Sequence, residues 1–318
     1  MPYVEFCCPG TEYRVPIELC LKECQHPREI IIDGKVELIA CLSTPTLAKI
    51  AEQRIWTGKP STTQLISGTR EEFLKIIKEY VVNPHERAFA LAGTMHHARL
   101  EAVANKLNLN ELSEEFLDGE VTGVLDRLVP DRSNPDFYEL WDYKNIGSFK
   151  VAKAMGIVSI GTKDDPSGAV YKSSGKWGKA GTPKQVKVFG QDPAQAEMDD
   201  YTLQLNHYRT KIEALSFPVS KMIIQATVRD YGLATATSRG VTSQFYLMPV
   251  KRMDDSEVLD YFQNKSYALL SALESGSMPA PCSERERWDG RKCQGYCDVV
   301  SFCPEGLAIK NGEVSNDD

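Results

Sequence analysis

Asp126, Asp142 and Lys144 have the types and spacing to hold a hard cation and to act on water or an anion beside it. A turn of Asp131, Ser133, Asn134 and Pro135 separates Val129 from Tyr138. Centred on Asn134, it sets Asp126 opposite Asp142 on antiparallel strands, with Cβ atoms roughly 5 Å apart. Two facing carboxylates repel unless a cation lies between them. Magnesium suits such a pair, since it uses one or two carboxylates, keeps several waters and takes its remaining ligands from phosphate. Strand alternation puts Lys144 on the face of Asp142, where its ammonium can orient water and stabilise charge building on phosphorus. The competing reading is an exposed hairpin with Lys144 as a surface ion-pair partner. The context favours burial: Asp126 lies in Gly123-Val124-Leu125-Asp126-Arg127, and Asp142 ends the run Phe137-Tyr138-Glu139-Leu140-Trp141. Buried charges need a partner or a metal.

These residues need a sheet to carry them. Val121 to Val129 alternates, Phe116-Leu117 precedes it, and Phe137 to Lys144 follows the turn, which predicts a three-stranded meander. Apolar residues at helical spacing predict helices over 44–56, 69–80 and, after Asn83-Pro84, through Phe89, Leu91, Met95, Leu100, Val103 and Leu107 to Leu109. The last holds His96 and His97; His97 and Glu101, four apart, share a face as two ligands of one ion would. The doublet does not choose between the histidines, and the His-Glu-x-x-His pattern of zinc proteases is absent. A helix through Tyr201, Leu205, Tyr208, Ile212 and Leu215, strands over 222–228 and 244–250, and a helix over 255–273 complete the order. The expected fold class is mixed α/β, a central mixed sheet flanked by helices.

The chain has 318 residues, 42% hydrophobic and 25% charged, enough for one sizeable core. Its net charge of −7 would repel a polyanion, so contact with nucleic acid would need local basic patches or bound cations. No apolar run is long enough for a bilayer and the opening residues lack a secretory order, so no membrane is expected and the expected location is cytoplasmic. In a reducing compartment nine cysteines read as metal ligands or buried thiols. They segregate: Cys7, Cys8, Cys20, Cys24 and Cys41 precede the centre, and Cys282, Cys293, Cys297 and Cys303 follow it. Gly58-Lys59-Pro60-Ser61-Thr62 is no phosphate loop, because the earlier glycine is Gln53 and a proline interrupts it.

Gly93-Thr94-Met95-His96-His97-Ala98-Arg99-Leu100-Glu101, Gly123-Val124-Leu125-Asp126, Asp142-Tyr143-Lys144 and Gln204-Leu205-Asn206-His207-Tyr208 follow one another in an order and spacing that resembles the PD-(D/E)XK nuclease superfamily. The resemblance is to its RecB-like branch, which includes the CRISPR-associated exonucleases. The motifs span Gly93 to Tyr208, and the surrounding element order extends the match over most of 43–303. The resemblance implies a restriction-endonuclease-like core. It implies that His97, Asp126 and Asp142, with a carbonyl near Tyr143, bind Mg²⁺ or Mn²⁺ and that Lys144 assists the attacking water. Gln204 and Tyr208 would contact substrate backbone or brace the site; Tyr208 also fits the apolar stripe of its helix. The implied activity is hydrolysis of phosphodiesters by a DNA exonuclease acting on single strands or ends, with partners in recombination, repair or phage and CRISPR systems unidentified.

Cys293, Cys297 and Cys303 resemble the C-terminal triplet that holds a 4Fe-4S cluster in the CRISPR-associated exonucleases. The first gap is three residues where that family has two, and Cys282 offers a nearby fourth ligand where the family takes one from the N-terminal side. Four thiolates at these spacings also suit zinc. Cys7 or Cys8 with Cys20, Cys24 and Cys41 could form a second four-thiolate site, donate one ligand to the C-terminal centre, or remain buried thiols.

From Lys144 to Lys187 nine lysines stand against Asp164 and Asp165 alone, a local charge of +7. Lys150, Lys172, Lys176 and Trp177 are candidate strand contacts, ammonium groups for phosphates and a ring for base stacking; a solvated loop has the same composition. The expected organisation is a cysteine-rich segment over 1–42, a core over 43–281 with a flexible insertion at about 145–190, a four-cysteine module over 282–303 and an acidic tail over 304–318. Two rivals from other classes are a non-cleaving nucleic-acid-binding adaptor and a zinc-stabilised structural or interaction protein.

Overall fold

Phe6 is the inward residue of the first strand, β1 (Tyr3–Cys7), in the computed structural model of the protein, which describes residues 3–107, 112–176 and 178–313. β1 pairs antiparallel with β2 (Arg14–Pro16), and α1 (Ile17–Lys22) follows. Next comes a hairpin of β3 (Arg28–Ile32) and β4 (Lys35–Ile39), whose turn residues Asp33 and Gly34 both have positive φ, 51° and 75°, as a tight type I′ turn requires. Phe6 meets Leu47 and Ile50 of α2 (Thr44–Ala51) and Val82 of β5 (Tyr80–Val82), the latter parallel to β1. A capping box between Ser61 and Gln64 starts α3 (Thr62–Ile66), and Gly68 leads into α4 (Thr69–Ile77). The helices expected to reach residues 56 and 80 stop at Ala51 and Ile77, and Tyr80 turns instead into β5. After a 3-10 turn capped by Asn83, α5 (Ala88–Leu107) carries no buried residue: Phe89, Met95, Val103 and Leu107 are exposed. The expected end of this helix at Leu109 lies outside the described residues.

These elements belong to a first compact unit, Met1–Val103, Phe116–Val124 and Asp254–Asp318; the second unit is Ala104–Glu115 with Leu125–Met253. The meander consists of β6 (Leu112–Leu117), β7 (Gly123–Asp131) and β8 (Asn134–Ile146). Its hairpin tip is Arg132-Ser133, and a register shift next to Pro130 restores the frame of a turn centred on Asn134: Pro130 pairs with Tyr138, Leu128 with Leu140 and Arg127 with Trp141. α6 (Ser148–Ala154) follows. Within the segment expected to be flexible, β9 (Ile157–Asp164) and β10 (Gln185–Gln191) form an antiparallel hairpin; isoleucine and valine in β9 and valine and phenylalanine in β10 favour strand.

α7 (Asp199–Ala214) is buried on nearly every side from Leu203 to Arg209. β11 (Val219–Val228) runs parallel to β8, and beyond α8 (Ala234–Thr237) the strand β12 (Phe245–Pro249) pairs antiparallel with β11. The sheet order β12-β11-β8-β7-β6 makes β8 the central strand of a mixed sheet, with α7 packed on β8 and β11. The fold is mixed α/β.

The chain ends in the first unit with α9 (Asp255–Ser275), capped by Asp254 and closed by Gly276 in the left-handed conformation. Three short helices follow, α10 (Glu284–Arg287), α11 (Arg291–Gly295) and α12 (Pro304–Lys310). The stretch expected to be an acidic tail from 304 is therefore helical as far as Lys310, because Gly306 and Ile309 are buried and Cys303 caps the helix. No helix among the described residues is long and apolar enough to cross a membrane.

Candidate active site and cysteine centre

Asp142 and Lys144 sit on the central strand β8, opposite Ile224 and Ala226 of β11, both fully buried. A strand with neighbours on both sides and a helix above leaves a charge little water, so each needs a partner within the protein. Lys144 Nζ lies 2.9 Å from Asp142 Oδ1 and 2.6 Å from Oδ2, straddling the carboxylate. Continuing the β7–β8 register one step brings Asp126 level with Asp142. The Asp126 Oδ2 atom accepts a 2.6 Å hydrogen bond from the backbone N–H of Tyr143. Both aspartates are buried. Burial works to lower the Lys144 pKa, but the Asp142 and Asp126 carboxylates outweigh it and hold the value above the ordinary lysine range. An obligate ammonium thus stands among two buried acids.

From α7, Gln204 Nε2 donates to Asp142 Oδ1 at 3.4 Å and to the Tyr208 hydroxyl at 3.3 Å. One helical turn separates the two residues, so both face the sheet. Tyr208 is 3% exposed and belongs to the core as well as to this cluster. Burial raises its pKa, and the Gln204 hydrogen bond opposes the rise. The rest of α7 is anchored by polar bonds that a helix buried all round must satisfy. Asn206 Nδ2 donates to Thr202 O and Lys251 O, and Arg209 reaches Glu213, Asn206 and Met253 O. This scaffold fixes where Gln204 and Tyr208 point.

Two residues near this cluster were not singled out from the sequence as site residues. Glu114, on β6, offers a carboxylate oxygen within 4.8 Å of one on Asp126. It adopts φ 53°, a left-handed backbone that costs an L-residue about 1–3 kcal/mol. Nothing in the pair Glu114-Glu115 distinguishes the two; only the backbone twist does. Tyr201 has its pKa pushed up to about 12 by burial, with Lys144 and Asp142 acting on it in opposite directions. His97 is half-buried on α5 in the first unit, its ring edge-on to that of His96 at 6.2 Å. Lys150 is exposed on α6, and Lys172 and Lys176 are exposed between β9 and β10; Trp177 lies outside the described residues.

In the first unit Cys282, Cys293, Cys297 and Cys303 line one cavity, together with Arg70, Glu71, Lys292 and Gly306. The C-terminal set therefore converges without any N-terminal cysteine. None of the four is in a disulfide. Burial pushes the Cys297 thiol up to about 12 and raises Cys282 and Cys293. At Cys282 and Cys297 backbone hydrogen bonds from Glu71 and Val299 counter the rise, and Gly306 N–H points at Cys303 Sγ at 3.4 Å. Arg70 Nη1 lies 3.8 Å from Cys303 Sγ and also pairs with Glu305. Beside the cavity, Lys75 and Lys292 both bind the buried Glu71, at 2.7 and 2.5 Å. Oriented N–H donors aimed at sulfur favour thiolates, and four cysteines around one cavity are a donor set that a metal centre could use. Cys8, Cys20, Cys24 and Cys41 line a separate concavity that shares no residue with this one.

No family model matches the chain, and no curated protein matches it. Among solved structures, one titled "Crystal structure of SSO0001" is similar over 82% of this chain and 95% of that one, at 13% identity and a TM-score of 0.38, a likeness too distant to bear on fold or activity.

Proposed function

We propose that the protein is a metal-dependent nuclease whose phosphodiester-hydrolysing site is built on Asp126, Asp142 and Lys144. The observation that supports it best is Lys144 astride the buried Asp142, with Asp126 beside it. Hard oxygen donors of this kind fit Mg²⁺ or Mn²⁺. Asp126 and Asp142 would hold the ion. Glu114 is a further donor on geometry, and His97 is one by resemblance to the RecB-like nucleases. When bound, such a cation supplies Lewis acidity and a template for phosphate and water.

The protein's own groups account for the remaining roles. Tyr143 N–H fixes one oxygen of Asp126, leaving the other for the ion. Gln204 braces Asp142 and ties it to Tyr208, so the acids hold one geometry before substrate arrives. Lys144, kept protonated by its neighbours, orients the attacking water and stabilises negative charge on the phosphoryl oxygens. The exposed lysines from Lys150 to Lys187 supply phosphate contacts. We assign DNA, single strands or ends, as substrate on the resemblance. On the same ground for Cys293, Cys297 and Cys303, and on the cavity that Cys282 lines with them, we assign a 4Fe-4S cluster to these four cysteines.

The test is digestion of an end-labelled single-stranded oligonucleotide with Mn²⁺, with chelator, and with Asp142→Asn. Manganese-dependent shortening that the substitution abolishes, with circular dichroism unchanged, supports the proposal. Equal digestion by both proteins rejects the site. Stoichiometric zinc without iron in anaerobically purified protein rejects the cluster and favours the structural zinc reading of that centre.

A further inference from the structure

The four N-terminal cysteines converge although their chain positions have little in common. Cys8 follows β1 at the β1–β2 turn, where its backbone binds Tyr13 O and receives Thr11 N–H. Cys20 lies on α1, and Cys24 follows the extended residue Glu23 that ends the helix. Cys41 follows β4. All four line one concavity with Tyr13, His26 and Arg28, and none is in a disulfide. His26 is already stacked on Tyr13, ring centroids 4.2 Å apart and nearly parallel. Cys7, adjacent in sequence, is not part of the lining; its thiol donates to Thr11 O at 3.4 Å.

This segment has little apolar burial to hold it. α1 buries no residue, and the β3–β4 hairpin leaves Ile31, Ile32, Val36, Leu38 and Ile39 exposed, Ile31 at 77%. Cys24 and Cys41 bracket that hairpin, so a bond between them through an ion would close the loop and replace the missing core.

We infer that Cys8, Cys20, Cys24 and Cys41 form a structural zinc site, distinct from the C-terminal cysteine centre and independent of the nuclease reading. Four cysteines from three separate segments around one concavity supply the all-sulfur donor set that structural zinc sites use.

The experiment uses the full chain, produced with zinc and iron available and purified anaerobically, as wild type, Cys20→Ser/Cys41→Ser and Cys297→Ser/Cys303→Ser. Elemental analysis should find about one zinc per chain in the wild type and in the C-terminal variant, and background zinc in the N-terminal variant. Wild type without zinc, zinc unchanged in the N-terminal variant, or iron lost there in its place overturns the inference. Should that variant fail to fold, alkylation of wild type followed by mass spectrometry decides the question. Cys7 should be modified while Cys8, Cys20, Cys24 and Cys41 stay protected until a chelator is added; equal modification of all five overturns the site.

Discussion

Replacing Lys144 by methionine keeps most of the side chain's volume and removes its charge, which separates a working site from an ordinary ion pair. Asp142 is 3% exposed and Lys144 20%, so the substitution leaves a buried carboxylate without its ammonium. Removing one partner of a buried pair costs about 3–5 kcal/mol, and the partial exposure of the lysine places this case near 3 kcal/mol. A divalent cation held by the same carboxylates offsets the loss: at a hundred times its dissociation constant it contributes about 2.7 kcal/mol. Denaturation of the variant without metal should therefore show a loss of about 3 kcal/mol that Mn²⁺ largely restores. The loss should shrink in acid, where Asp142 takes up a proton rather than standing as a buried charge. Cleavage should fall about 10²–10⁴-fold and stay low with Mn²⁺, since the missing group serves the reaction and not the ion. A stability loss that Mn²⁺ does not touch, or cleavage at the wild-type rate, would overturn the role assigned to Lys144.

Three further outcomes are expected. A Cβ added at Gly68 would lie 2.3 Å from Cys282 Sγ, so Gly68→Ala should displace that ligand and lower the metal content of the C-terminal centre, read by elemental analysis of matched preparations. Burial, then Lys211, hold the His207 pKa down at about 3, so the unfolded chain binds a proton that the folded one refuses between about pH 6.5 and 3; stability from this group is full above that window and lost as pH falls, about 1.4 kcal/mol per unit. His207→Asn should flatten that acid limb in denaturation curves taken from pH 7 to 4. If the exposed lysines between β9 and β10 contact phosphates, Lys172→Ala/Lys176→Ala should reduce the salt slope of single-strand binding by about 1.4, roughly 0.7 per lysine, and an unchanged slope would remove them from the interface.

Local pattern carries information wherever a residue's fate depends on its near neighbours in the chain. The meander is legible because alternation and one turn fix a hairpin frame, and that frame sets Asp126 level with Asp142 and Lys144 on the same face. The sequence also marks Gln204 and Tyr208 as one helical turn apart, and the cysteines as two groups. It does not tell that β8 is the central strand, since this depends on a parallel partner, β11, more than seventy residues on, whose pairing brings Ile224 and Ala226 opposite Asp142 and Lys144. It does not separate Cys7 from Cys8, or Glu114 from Glu115, because a turn and a single backbone torsion decide which side chain faces inward. Inside the stretch that reads as loose, Ile157–Asp164 and Gln185–Gln191 pair as β9 and β10, because cross-strand bonds between distant residues outweigh weak local preference. Residue chemistry and short periods are properties of sequence, whereas burial, convergence and the partner of each charge arise only when distant segments meet.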